Sequence, residues 1–236
     1  ASPGILRLKE LLDEGYAGEV LAVSMTMFLP GILQRTTQNA WMADPRNGAN
    51  TLTIAAGHAT DALCFCLGEF REVSSVVSTQ VRQWQLSDTK QVVEVSAPDN
   101  ILVSGLLSSG AMASVHVATI PWHGSGWRME VYGREGTLVA SGDQMVQYAQ
   151  VRLRGARRGD SALADLAIPE GLVSAPAAVP QGPPFGVAQM YRRLAQSIGG
   201  GKPVGPDFGV ALQRHRLLET IQRASEQGKC LEVPAD

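Results

Sequence analysis

The sequence predicts an α+β domain: a mostly antiparallel, open sheet with helices on one face and the other face used for oligomerisation. Three observations predict it. Six strand-like runs follow one another with short turns, a meander rather than βαβ units. Helical patterns stand near both ends of the chain and once between them. The first strand is apolar on both sides, which marks a strand covered on both.

Taken in order, Ser2 and Pro3 suit the cap and first turn of a helix whose Ile5, Leu8 and Leu12 form a stripe, and Gly15 ends it. Residues 19–29 read as a strand. Leu21, Val23, Met25, Met27 and Leu29 line one face, and Val20, Ala22, Ser24, Thr26 and Phe28 the other. Residues 30–50 form a long polar connection carrying Arg35, Asn39, Trp41, Asp44, Arg46 and Asn50, and loops of this length are often functional.

Residues 52–67 are almost wholly apolar and run without proline to Gly68, a helix stop. The pattern predicts a helix buried on most of its circumference. Inside it His58 and Asp61, three apart, share one face and need partners there. Strands are expected at 73–81, 101–108, 111–120, 127–133, 137–140 and 145–153, with turns at Ser109-Gly110 and at Arg134-Glu135-Gly136. Residues 155–184, rich in Gly, Pro and Ala, read as a surface excursion. Two helices close the chain. One carries Val187, Met190, Tyr191, Leu194 and Ile198; the other runs from an N-cap at Asp207 through Leu218 and Ile221 to Gly228.

The totals exclude several function classes. A net charge of −2 gives no field to recruit nucleic acid or an anionic membrane. No apolar run reaches the ~20 residues of a membrane span, and Ala1-Ser2-Pro3-Gly4 begins no signal peptide. Cys64, Cys66 and Cys230 read as free thiols of a cytoplasmic protein. No His, Cys or carboxylate set has metal-site spacing, so no metal is expected. No G-x-G-x-x-G follows a strand, so the chain alone cannot build the usual dinucleotide cradle.

The stretch Gly48-Ala49-Asn50, then Gly57-His58-Ala59-Thr60-Asp61-Ala62-Leu63, then Leu67-Gly68, resembles the GGG…D-x-x-x-H-x-x-D…LG motif of the glucose–fructose oxidoreductase/inositol dehydrogenase/rhizopine-catabolism family. The form Thr51-Leu52-Thr53-Ile54 before the histidine is similar to the branch related to the fungal galactose-regulon repressor. The resemblance covers the C-terminal half of that family. It implies that residues 1–236 are a substrate-binding and oligomerisation domain. NAD or NADP would then be bound mainly by an N-terminal Rossmann domain that this chain lacks. It also implies a sugar, polyol or related small molecule as substrate, and a homodimer or tetramer joined through the open sheet face.

Within that resemblance His58 is the candidate catalytic group, since an imidazole exchanges a proton near neutral pH. Asp61 suits a structural role. Trp41, Arg46, Asn50, Thr53 and His123 are the candidate substrate-binding residues. Four positions before His58, where the family often carries an aspartate, this chain has Ile54. Isoleucine transfers no proton. That substitution keeps a second reading open, a non-catalytic regulator like the galactose repressor. A stand-alone interaction domain is the third.

Overall fold

The computed structural model describes residues 2–148, 150–201 and 205–234. The strands are β1 (Val20–Pro30), β2 (Phe70–Ser78), β3 (Gln83–Gln85), β4 (Val92–Glu94), β5 (Asn100–Leu107), β6 (Met112–Ile120), β7 (Gly126–Gly133), β8 (Gly136–Gly142), β9 (Arg152–Arg157), β10 (Ala164–Leu166) and β11 (Leu231–Glu232). Nine of them form one sheet in the order β10-β9-β8-β7-β1-β6-β5-β2-β11, and β3 and β4 make a separate hairpin. β1 lies in the middle, parallel to β6 and antiparallel to β7. Every other pairing is antiparallel.

The central position of β1 follows from its two-faced apolar pattern. Val23, Met25 and Met27 are buried on one side, each such burial contributing roughly 1.5–3 kcal/mol. Against that side pack α1 (Pro3–Asp13), α2 (Gly57–Leu67) and α4 (Phe208–Gln227), which share a single core with it. From α1 it is Ile5, Leu8 and Leu11 that are buried, with Leu12 only partly so. α4 supplies Leu217, Leu218 and Ile221 and is pinned to β2, where Ser75 Oγ donates to the Ile221 carbonyl (2.5 Å) and Ser225 Oγ accepts from Val77 N (2.8 Å).

The opposite face is open, as the sequence predicts. A row of four serines crosses it in register, Ser74–Ser104–Ser114–Ser24 on β2, β5, β6 and β1. Val76 and Leu102 flank the row on one side, Leu106 and Met112 on the other, and Met112 is 67% exposed.

Several sequence readings need correction. The strand expected at 145–153 begins only at Arg152, because Val146 and Val151 drop into the core rather than alternating along a sheet. The excursion expected from 155 holds the end of β9, then β10, and further on a 3-10 turn at Glu170–Leu172. The strand expected at 73–81 runs from Phe70 to Ser78.

The 30–50 connection is not a bare loop. It forms 3-10 turns at Thr37–Ala43 and Pro45–Asn47 and packs on the β3–β4 hairpin, with Ile32, Ala43, Trp84, Val95 and Ala97 as a small second core. The Ala43 carbonyl accepts from Ser96 N and Ala97 N, both at 3.0 Å, and the Arg35 carbonyl from Ser87 N at 2.8 Å.

The helix after it starts as a π-helical turn, Thr51–Ala56, before tightening into α2. Gly68, at φ 89°, stops it in a conformation that glycine adopts without strain. Its burial is less complete than the composition predicts. Ile54, His58, Asp61 and Phe65, spaced four, three and four, form one stripe that faces outward.

Candidate active site

The start of the helix is fixed by a capping box. Asn50 Oδ1 accepts from Leu52 N (2.9 Å) and Thr53 N (3.1 Å), while Thr53 Oγ1 accepts from Asn50 N (3.1 Å) and donates to the Gly48 carbonyl (2.8 Å). These bonds satisfy the free N–H groups of the first turn and aim the outward stripe.

Two concavities meet along that stripe, sharing Ile54. The first, a cleft of about 220 Å³, lies between the end of β1, the π-helical turn and Trp84. Asn50, Thr51, Asp99 and Thr119 give it polar groups. Thr51 and Thr119 share a hydroxyl–hydroxyl bond of 2.9 Å. Asp99, only 2% exposed, accepts from Gln80 N and from Val81 N (2.7 Å), so its carboxylate is committed to backbone. The second concavity lies between α2 and α4 and holds His58, Asp61, Arg214 and His215.

His58 is exposed at its surface, yet the walls around it desolvate the ring and lower its pKa below the ordinary histidine value, against the opposing pull of Asp61. The imidazole is therefore neutral near pH 7, the form that accepts a proton from a hydroxyl. Asp61 takes the structural role that suits it. It accepts from Arg214 Nε (3.3 Å), while both terminal nitrogens of Arg214 bond Glu69 (2.9 and 3.0 Å). The bidentate bond to Glu69 and the single bond to Asp61 tie α4 to the middle of α2 and to the turn between α2 and β2.

Of the expected substrate-binding residues, Asn50 lines the cleft, and Thr53 lines the depression beside His58. Trp41, Arg46 and His123 lie outside both linings. Arg46 is ion-paired with Asp44, and the Trp41 carbonyl accepts from Asn47 Nδ2 (2.6 Å). Residues that sequence reasoning passed over are Arg214, Asp99 and Trp84, and Arg35 was named only as part of the 30–50 connection. For Arg214 a signal existed: Arg214, Leu217, Leu218 and Ile221 recur at helical spacing, which puts the arginine on the buried face.

Comparison with known proteins accords with this geometry. Residues 3–142 match the Gal80p C-terminal domain family. The chain belongs to that family. Over 157 residues it is 29% identical to the dehydrogenase aclE of Aspergillus oryzae, a match covering 63% of this chain and 42% of the relative. Over 117 residues it is 27% identical to the galactose/lactose metabolism regulatory protein GAL80 of Kluyveromyces lactis, covering 46% of this chain and 26% of that one.

The solved structure of levoglucosan dehydrogenase in complex with NADH and L-sorbose superposes with a TM-score of 0.82 at 19% identity, over 99% of this chain and 64% of that one. The chain thus spans less than half the length of the curated relatives it matches. Both dehydrogenases and galactose regulators occur among its relatives, joined by the α+β fold.

No Rossmann-type dinucleotide turn follows β1. β1, which would lead a Rossmann unit, runs into Pro30 and the 3-10 turns rather than into a glycine-rich turn and a helix. No described helix is long and apolar enough to cross a membrane.

Proposed function

We propose that this chain is the substrate-binding and oligomerisation domain of a dinucleotide-dependent oxidoreductase acting on a sugar, polyol or related small molecule. The observation that carries the reading is the outward stripe of α2. The His58 imidazole stands there, facing outward beside a cleft of substrate size, with the opposite side of its helix buried. His58 would take or return the hydroxyl proton of the substrate, and Asp61 with Arg214 would hold the helix that carries it. Asn50 and Thr53 shape the rim. Trp41, Arg46 and His123 would reach a larger substrate only from outside the two concavities.

NAD or NADP would be held by a separate N-terminal domain of Rossmann type. Three features support such a neighbour. The α2 stripe faces outward, and a second apolar stripe, Val187, Tyr191, Leu194 and Ile198 on α3 (Pro183–Gly200), is exposed along its length. At the start of α4 Phe208 is 96% exposed. Surfaces of this kind mark a docked partner.

The open sheet face supports self-association. Its serine row is small, and Val76, Leu102, Leu106 and Met112 beside it give a second copy something to pack against about a two-fold axis.

One observation favours a second reading. Ile54 lines both concavities where the enzymes of the family often place a carboxylate, so the fold could serve a non-catalytic regulator instead. Turnover decides between them. Formation of NADH or NADPH by the whole protein with sugars or polyols, lost on His58→Asn, supports the enzyme. No turnover with either dinucleotide across that range supports the regulator.

A further inference from the structure

Arg35 is the one charge in the cleft without a use. Its guanidinium carbon lies 5.2 Å from the centre of the Trp84 ring, stacked on a side chain that is almost completely buried. Its Nε is sealed from solvent and makes no hydrogen bond, and among the described residues its guanidinium has no carboxylate within ion-pair distance. Burial alone acts on it, lowering its pKa with no negative charge opposing. A half-buried guanidinium without a counterion is costly, and a chain that keeps one at a cleft wall leaves room for an anion to offset that cost. Asp99, the other charged group of the lining, is no such partner, since its oxygens are bound by Gln80 N and Val81 N.

We propose that the cleft takes a carboxylate-bearing sugar or polyol, a sugar acid, with its carboxylate held by Arg35 on the face of Trp84. The planar guanidinium matches a carboxylate in two parallel bonds, and the cation stacks on the indole while doing so. A single cation in a cleft of about 220 Å³ suits a monoanion of this size better than a phosphate dianion. The rest of the lining fits the body of such a molecule: Leu29, Met42 and Ala97 offer apolar contact, and the Thr51–Thr119 hydroxyl pair offers a polar edge. The proposal rests on the reading of the cleft as a substrate site, and it narrows that substrate to an acid.

The test is calorimetric titration of the chain with D-glucuronate, D-glucose and D-glucose 6-phosphate at low and moderate salt, for the unaltered protein, Arg35→Gln and Arg35→Lys. Circular dichroism confirms that each variant is folded. The expected result is glucuronate binding at least about tenfold tighter than glucose and weakened by salt. Arg35→Gln should lose that preference, and Arg35→Lys, which keeps the charge but not the fork, should fall between. Equal binding of glucuronate and glucose, no binding of either, or glucuronate binding unchanged in Arg35→Gln overturns the proposal. Tighter binding of glucose 6-phosphate than of glucuronate overturns the carboxylate assignment.

The two readings fail separately. Turnover of neutral sugars by the whole protein, with no Arg35-dependent binding of glucuronate, leaves the oxidoreductase standing without the acid site. Arg35-dependent glucuronate binding with no dinucleotide-linked turnover leaves the acid site standing without the oxidoreductase.

Discussion

Replacing Arg214 with methionine tests how the helix that carries His58 is held. The arginine side chain is 10% exposed, and it makes two bonds to Glu69 and one longer bond to Asp61. Hydrogen bonds to charged groups contribute about 1.5–3 kcal/mol each when buried. Here the carboxylates are 39% and 46% exposed, so water screens the pairs and rehydrates both acids once the arginine is gone. Methionine keeps most of the apolar stem. The net loss works out at about 2 kcal/mol, well short of the ~3–5 kcal/mol of a fully buried broken pair.

Urea unfolding of wild type, Arg214→Met, Glu69→Gln and the double variant gives the cycle. A coupling energy of about 1–2 kcal/mol between positions 69 and 214 is expected. Arg214→Met within ~0.5 kcal/mol of wild type, or a coupling energy near zero, would refute the clamp.

Three further outcomes follow from the same structure. A Cβ at Gly105 would stand 2.1 Å from the Glu72 carbonyl oxygen, where β2 shifts register against β5. Gly105→Ala should therefore cost about 1–3 kcal/mol or more, read as a melting-temperature drop of roughly 2–12 °C; an unchanged melt would contradict the close approach. Cys230 is exposed, whereas burial raises the pKa of Cys64 and Cys66. A thiol reagent at pH 8 should label Cys230 in the native protein and the other two only after unfolding. Light scattering at micromolar concentration should give a dimer or a multiple of it. Ser104→Arg and Ser114→Arg, set in the serine row, should each shift the protein toward monomer; a monomeric wild type would sink the self-association.

The architecture was legible because its signals are long. β1 carries both apolar faces over eleven residues, and its place in the middle of the sheet follows from them. The helix from Thr51 was legible in extent, but its outward stripe was not, since Ile54 and Phe65 look like core in composition and only the observed packing shows them facing out. The strand misread at 145–153 has the right residues: Met145, Val146 and Val151 reach the core from the segment before β9 and only Leu153 does so from a ladder, so apolar content was read as alternation.

In the site, Asn50 and Thr53 carry a helix cap that the sequence reading did not name. Their N-x-x-T spacing is a cap signature, fulfilled by Asn50 Oδ1 and Thr53 Oγ1. Arg214 was hidden by the charged neighbours His215 and Arg216, although its helical spacing was readable. Arg35 and Trp84 are 49 positions apart in sequence and meet only because the 30–50 connection folds onto the β3–β4 hairpin, a contact no local pattern announces.

The most direct test of the account is the pH profile of turnover by the whole protein, followed as NADH or NADPH absorbance with sugar, polyol and sugar-acid substrates, for wild type and His58→Asn. His58 must be neutral to accept a proton, and its pKa lies below the ordinary value. Activity should therefore hold as the pH falls through about 6.5 and decline only below it. His58→Asn should lower turnover by about 10²-fold or more and abolish that acid limb. Wild-type turnover that His58→Asn leaves unchanged, with the acid limb intact, would contradict the account.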